Sequence, residues 1–216
     1  MIGQYIIDNH ISPNISNLPW VGRYGSVIQK MVKDSVDEND QRTKVTYPVS
    51  CNVTGRDCAN TKPYEDLVPN DRYSSVVYWE EISPMTESGR SSVDRFGYKK
   101  IQGVYRLVAW FNLLKLGLDT CIAPIEAYRE IERHTNLDIK ITGGVFPNAL
   151  LKVVPYRDVP RDASIVFGKY SYPKNSKYYL KPFDFFAIDY RFTLDYCMNS
   201  DNQFIPNNSI DCQNGI

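Results

Sequence analysis

The segment Pro182–Tyr196, PFDFFAIDYRFTLDY, alternates so regularly that a β-strand is the regular element it fits. Phe186, Ile188, Tyr190, Phe192, Leu194 and Tyr196 fall on one side of a period-two ribbon, and Asp189, Arg191, Thr193 and Asp195 on the other. The pattern predicts one buried and one solvated face. A strand of this length, in a chain without a recognisable catalytic motif, points to a sheet that organises contacts rather than one that frames a reaction centre.

Its 216 residues suffice for one sizeable core. The expected fold is α+β, a mostly antiparallel β-sheet with flanking helices and long loops. Residues 1–43 read as a helical or extended N-terminal segment, 44–197 as the core domain with loop insertions, and 198–216 as a polar C-terminal arm. Lys plus Arg number 25 and Asp plus Glu 25, so global charge offers no support for non-specific nucleic-acid binding, and any such contact must be local. An apolar share of 43% with nine Phe and sixteen Tyr is that of a folding chain. No apolar run has the length to span a bilayer, and MIGQYIIDNH lacks the basic start and apolar core of a signal peptide, so a cytosol, or a particle assembled there, is the expected setting.

Five cysteines, Cys51, Cys58, Cys121, Cys197 and Cys212, are an odd and scattered set that argues against a disulfide framework. The spacing of Cys51 and Cys58, with no second Cys pair and no clustered His, does not match a zinc site, and no cofactor or metal is expected. The Asn-X-Ser/Thr sequences at Asn14, Asn52 and Asn207 would carry glycans only in a secreted protein and read as chance in an Asn-rich chain.

Along the chain, Val27, Ile28, Met31 and Val32 share a helical face, predicting a helix within Ser16–Val36, followed by an acidic linker at Asp34, Asp37, Glu38 and Asp40. KVTYPVSCNV alternates as a strand whose Pro48 places it at a sheet edge or a bulge. Gly55–Tyr73 reads as a long loop, SSVVYWEEI as a third strand and Pro84–Asp94 as a loop. GVYRLVAWFNLLKLG, residues 103–117, fits a helix stopped by Gly117 or a strand buried on both faces; its Val, Tyr, Trp and Phe density favours the strand. PIEAYREIERHT predicts a helix opened by Pro124, with Glu126 in the first turn, Arg133 and His134 in the last, and Ile122, Ile125, Tyr128 and Ile131 as packing stripe. Strands at Asp138–Thr142 and Ala149–Tyr156, a Gly143–Gly144 turn and a hairpin around Pro173–Ser176 complete the expected core.

No phosphate loop, GxGxxG, HExxH or GxSxG is present, and only His10 and His134 could act as imidazole bases, so most hydrolase templates fail and no enzymatic activity is expected. Glu80 and Glu81 point to opposite faces of a strand, which suits a strand end facing water better than a paired-acid site. Arg157, Asp158, Arg161 and Asp162 read as a surface ion-pair cluster. GKYSYPKNSKYYLK, residues 168–181, carries Lys169, Tyr170, Tyr172, Lys174, Lys177, Tyr178, Tyr179 and Lys181 without an acid. Lysines that track phosphate beside tyrosines that stack on bases make it the candidate contact for DNA or a partner subunit, against a plain solvated hairpin with tyrosine pairs.

The Trp110-Phe111-Asn112 segment ending in Lys115-Leu116-Gly117, a short helix after it, and a late strand introduced by Lys181-Pro182-Phe183-Asp184-Phe185-Phe186-Ala187-Ile188-Asp189-Tyr190 and closing near Cys197 together resemble phage neck and tail-terminator-type ring proteins. Asn, Tyr and Ile usage is similar to that of virion proteins of crAss-like phages of gut Bacteroides hosts. The resemblance covers Tyr98–Cys197. It implies an α+β subunit in a closed homo-oligomeric ring between portal and tail, a head-tail connector in the virion whose lumen passes genomic DNA and whose neighbours are other neck, tail or portal proteins. The alternative is an accessory enzyme or nucleic-acid-binding protein of such a phage, acting through residues 168–181.

Overall fold

The computed structural model describes residues 2–36, 42–50, 65–87, 98–117, 123–171 and 177–197. Its centre is a six-stranded sheet in the order β1-β5-β6-β9-β8-β7, where β1 is Tyr24–Val27, β5 Ser75–Glu87, β6 Tyr98–Asn112, β7 Leu137–Lys140, β8 Leu150–Val159 and β9 Phe183–Cys197. All pairings are antiparallel except the β1–β5 edge, which is parallel. Three short strands, β2 (Gln29–Val36), β3 (Arg42–Ser50) and β4 (Glu65–Asp66), form a second sheet. The fold is thus the α+β arrangement read from the sequence.

The central strands β6 and β9 pair over fifteen residues, from Tyr98↔Cys197 to Asn112↔Phe183. Their length is set by two apolar faces rather than one. On the first face Trp79, Tyr105, Leu107, Phe111, Phe186, Ile188, Tyr190, Phe192 and Leu194 pack under the N-terminal helical turns and α4 (Ala123–Thr135). On the second face Val76, Tyr78, Val108, Trp110, Phe185 and Ala187 pack under Val166, Phe167 and Tyr170. β6 is therefore the doubly buried central strand that its Val, Trp and Phe content favoured. The helical signal at its end is also real: Leu113–Leu116 form α3, capped at its start by the Asn112 side chain and stopped by Gly117 at φ 63°. No atom lies within 4 Å of a Cβ built on Gly117, so Gly117→Ala should cost about 1 kcal/mol from left-handed backbone strain alone, measurable by denaturant melts.

The N-terminus is part of the first core. Ile6, Ile7, Ile11 and Ile15 are all fully buried on one side of α1 (Ile2–Ile6), a π-helical turn (Ile7–Ile11) and α2 (Ser12–Ile15). Downstream, the helix expected within Ser16–Val36 is absent, and β1 and β2 occupy its second half. Val27, Ile28, Met31 and Val32 fit either period, and what decides is a cross-strand partner: Met31 lies opposite Tyr47 and Val32 opposite Thr46. β3 is the middle strand of its sheet, yet Pro48 is accommodated. Its carbonyl accepts from the Leu67 N–H on the β4 side, and the missing donor points the same way, so no bond to β2 is lost.

Three further expectations change. Pro84–Glu87, read as loop, continues β5. In α4 the buried positions are Pro124, Ala127, Ile131 and Thr135, whereas Ile125 is 54% exposed; Ile125 lies about 200° around the helix from Ala127 and faces water. Ile122 lies outside the described residues. The hairpin around Pro173–Ser176 is not bordered by strands: α5 (Ala163–Val166) precedes it and a 3₁₀ turn at Lys177–Tyr179 follows, while residues 172–176 lie outside the described set. The same holds for 37–41, 51–64, 88–97, 118–122 and 198–216, which include four of the five cysteines, the acidic linker beyond Val36 and the C-terminal arm.

Candidate functional site

A charged row crosses the second face of the sheet. Register places Glu80 of β5 opposite Arg106 of β6, Arg106 opposite Asp189 of β9, and Asp189 opposite Arg157 of β8. Signs alternate across four strands. Asp189 is 1% exposed and accepts from Arg106 Nε at 2.7 Å and from Arg157 Nη2 at 2.6 Å. Burial pushes its carboxyl up, but the hydrogen bonds and charges of the two guanidinium groups outweigh burial and hold it below the usual carboxylate range. Glu80, 2% exposed, accepts from the Tyr170 hydroxyl and the Lys169 ammonium. Burial pushes the Lys169 ammonium down, only partly offset by Glu80.

The row lies one residue pair beyond the apolar rows of the second core, Tyr78–Val108–Ala187–Val159 and Val76–Trp110–Phe185. It is a border between core and solvent, and chemically it is a clamp: Lys169 and Tyr170 tie the segment after α5 to the sheet. Both carboxylates are already engaged within the chain, Asp189 by two guanidinium groups and Glu80 by an ammonium and a hydroxyl. Two expectations are corrected here. The second face of β9 is not simply wet, since Asp189 is buried with Phe185 and Ala187. Glu80 does not face water; Glu81 does, and it accepts from the Tyr105 hydroxyl at 2.8 Å.

The lysine and tyrosine set of residues 168–181 divides in the same way. Tyr170 is buried on Glu80, Tyr179 stacks on Phe167 with ring centroids 5.1 Å apart, and Tyr178 packs edge-on to Trp110 while its carbonyl accepts from the Trp110 indole N–H at 2.7 Å. Lys177 pairs with Asp71 at 2.6 Å, which raises the lysine and lowers the aspartate. Lys181 is exposed, and Tyr172 and Lys174 lie outside the described residues. The described residues of the segment, 168–171 and 177–181, form a strap laid over the sheet.

Arg157, Asp158, Arg161 and Asp162 do not pair with one another. Arg157 serves Asp189, Arg161 bonds Asp184, Asp158 accepts from the Tyr128 hydroxyl at 2.8 Å, and Asp162 caps α5 through the Ser164 N–H at 2.7 Å. His134 is half-buried in the last turn of α4. Burial pushes the His10 imidazole down, and its buried Nε2 has no hydrogen-bond partner among the described residues. Among those residues no three His, Cys, Asp or Glu side chains converge as a metal site needs, and no helix is long and apolar enough to cross a membrane.

Two surface features went unread in the sequence. The first is the β2–β3 ribbon, in register over eight pairs from Gln29↔Val49 to Val36↔Arg42. Burial decreases along β3 from Ser50 to Arg42, and Lys30, Val32, Lys33, Asp34, Arg42, Thr43 and Lys44 are exposed. Exposure of successive residues means that both ribbon faces leave the body of the protein. The second is a cavity of about 300 Å³ between the loop before β1, the end of β6, α3 and α4. Comparison with family models, with curated proteins and with solved structures returns no match to this chain.

Proposed function

We propose that this protein is a ring-forming structural subunit of a phage neck or tail, linking the portal end of the capsid to the tail around the passage for DNA. The observation that carries this reading is the β2–β3 ribbon. A two-stranded ribbon is marginal in water on its own, and this one exposes Val32 at 58% together with Lys33, Asp34, Arg42, Thr43 and Lys44 on both of its faces. Such an arm gains stability when a neighbouring surface covers it, and a closed ring repeats one head-to-tail contact around an axis. Lys30, Lys33 and Lys44 along its edges disfavour uncontrolled strand addition, so the contact is selective. The wide apolar sheet beneath supplies a rigid mount.

The alternative in which residues 168–181 grip nucleic acid has less support, because Lys169, Tyr170, Lys177, Tyr178 and Tyr179 have partners within the chain. The test is the assembly state. Light scattering and negative-stain microscopy of purified protein should find a closed oligomer, and mass spectrometry should find the chain in purified particles. A variant with residues 34–44 replaced by a two-residue Asn-Gly turn, which keeps Lys33 opposite Val45, should be monomeric with a nearly unchanged melt. A wild-type monomer at all concentrations, absent from particles, would overturn the proposal.

A further inference from the structure

Glu126 and Glu130 lie one helical turn apart on α4 and both line the 300 Å³ cavity, whose other walls are Pro19, Trp20, Phe111, Leu116 and Ala127. Like charges at this spacing oppose each other, and among the described residues no Lys or Arg stands within ion-pair distance of either carboxylate. The aromatic wall is fixed from behind. Ser75 Oγ donates to the Trp20 carbonyl at 2.7 Å and accepts from the Gly22 N–H at 2.8 Å, and the Trp20 ring leans on Phe111 at 5.3 Å between centroids. The Trp20 indole N–H donates to Glu130 Oε2 at 2.6 Å, which joins the aromatic wall to the acidic one.

Aromatic rings beside carboxylates that make no ion pair among the described residues, around a space of this size, make one kind of recognition: a positive head for the acids and the ring, and a short apolar stem for Phe111, Leu116 and Ala127. We infer that this cavity binds an alkylammonium or alkylguanidinium group no larger than one side chain, presented either by a free amine or by a Lys or Arg side chain of a second copy of the chain. The site stands independently of the ring assignment, since it needs only the contacts within one subunit.

The test follows the indole N–H resonance of Trp20, assigned with Trp20→Phe, while n-butylguanidinium is added at low salt. A group of that size should bind with a dissociation constant on the order of 1 mM, shifting the Trp20 signal saturably. Glu126→Gln and Glu130→Gln, which preserve shape, should each weaken binding by roughly tenfold. Equal amounts of n-butanol should produce no saturable shift. Saturation in monomeric protein assigns the site to free amines, whereas binding that appears only as oligomers dissociate assigns it to a basic side chain of a second copy. Absence of any saturable shift, or an equal response to butanol or in both Gln variants, overturns the inference. The ring reading would survive that result, because its own readout is particle size.

Discussion

Asp189→Ala is expected to lower the unfolding free energy by about 3–5 kcal/mol, far more than removal of any exposed charge. The cause is what it leaves behind. Arg106 is 9% exposed and its guanidinium donates two hydrogen bonds to Asp189, at 2.7 and 3.2 Å. Without the carboxylate it keeps a buried charge that has lost both of its hydrogen bonds and is offset only by Glu80 across the strand. Arg157, with a side chain 61% exposed, should behave differently: Arg157→Ala returns only a surface partner and should cost less than about 1 kcal/mol. Replacing the buried pair together, Arg106→Met with Asp189→Leu, should restore most of the loss, because apolar side chains need no compensating partner there. The pH dependence has a definite sign. The native Asp189 carboxyl titrates below its ordinary value, so the stability it contributes is complete above the unfolded value near 3.8 and is lost as pH falls through the lower native one. Asp189→Asn should flatten that acid limb of the stability curve. Urea melts of the four variants and of wild type across pH 2–7 decide it, and a loss of under 1 kcal/mol for Asp189→Ala would remove the clamp from the account.

Local period made much of this fold legible. The alternation of Pro182–Tyr196 and the apolar density of residues 103–117 mark β9 and β6, the two strands that hold the sheet together. Pro124 and Gly117 mark the helix boundaries near them. Partners distant in sequence were not legible. Whether Asp189 faces water depends on Arg106 and Arg157, 83 and 32 residues away, and whether Glu80 is solvated depends on Lys169 and Tyr170, 89 and 90 residues away. A usable sign was nevertheless present. Glu80 after VVYW, Arg106 inside VYRLVAW and Asp189 inside FFAIDYRF each interrupt a strand that is apolar on both faces, and a lone charge in such a strand must find an opposite one. Their signs alternate, which is the order in which the strands pair. The region Tyr24–Val36 failed for the opposite reason: its short apolar pattern fits two periods, and only the facing strands select one, Ser75–Glu87 for Tyr24–Val27 and Arg42–Ser50 for Gln29–Val36. Nothing local links Trp20 to Glu130, 110 residues on, so the cavity could not be foreseen.

Because β9 is buried on both faces over its first half, truncations on opposite sides should be similarly costly and independent. Phe192→Ala removes a ring that meets Trp79 at 5.8 Å and Tyr105 at 4.9 Å between centroids, and should cost about 3–5 kcal/mol. Phe185→Ala removes one that meets Phe167 at 5.1 Å and Tyr179 at 6.2 Å, beneath the strap on the other face, and should cost a similar amount. The two rings share none of these neighbours and sit seven residues apart on an extended strand, roughly 23 Å, so the double variant should equal the sum within about 0.5 kcal/mol. Arg191→Ala supplies the contrast on the same strand. Its guanidinium lies over the exposed Tyr156 ring at 4.2 Å, a contact worth under about 1 kcal/mol at a solvated position. A one-sided strand would make Phe185→Ala as mild as Arg191→Ala. Guanidinium melts that rank Phe185 with Phe192 would show that residues 163–171 and 177–181 enclose a true second core, and that the sheet is held between two cores rather than resting on one.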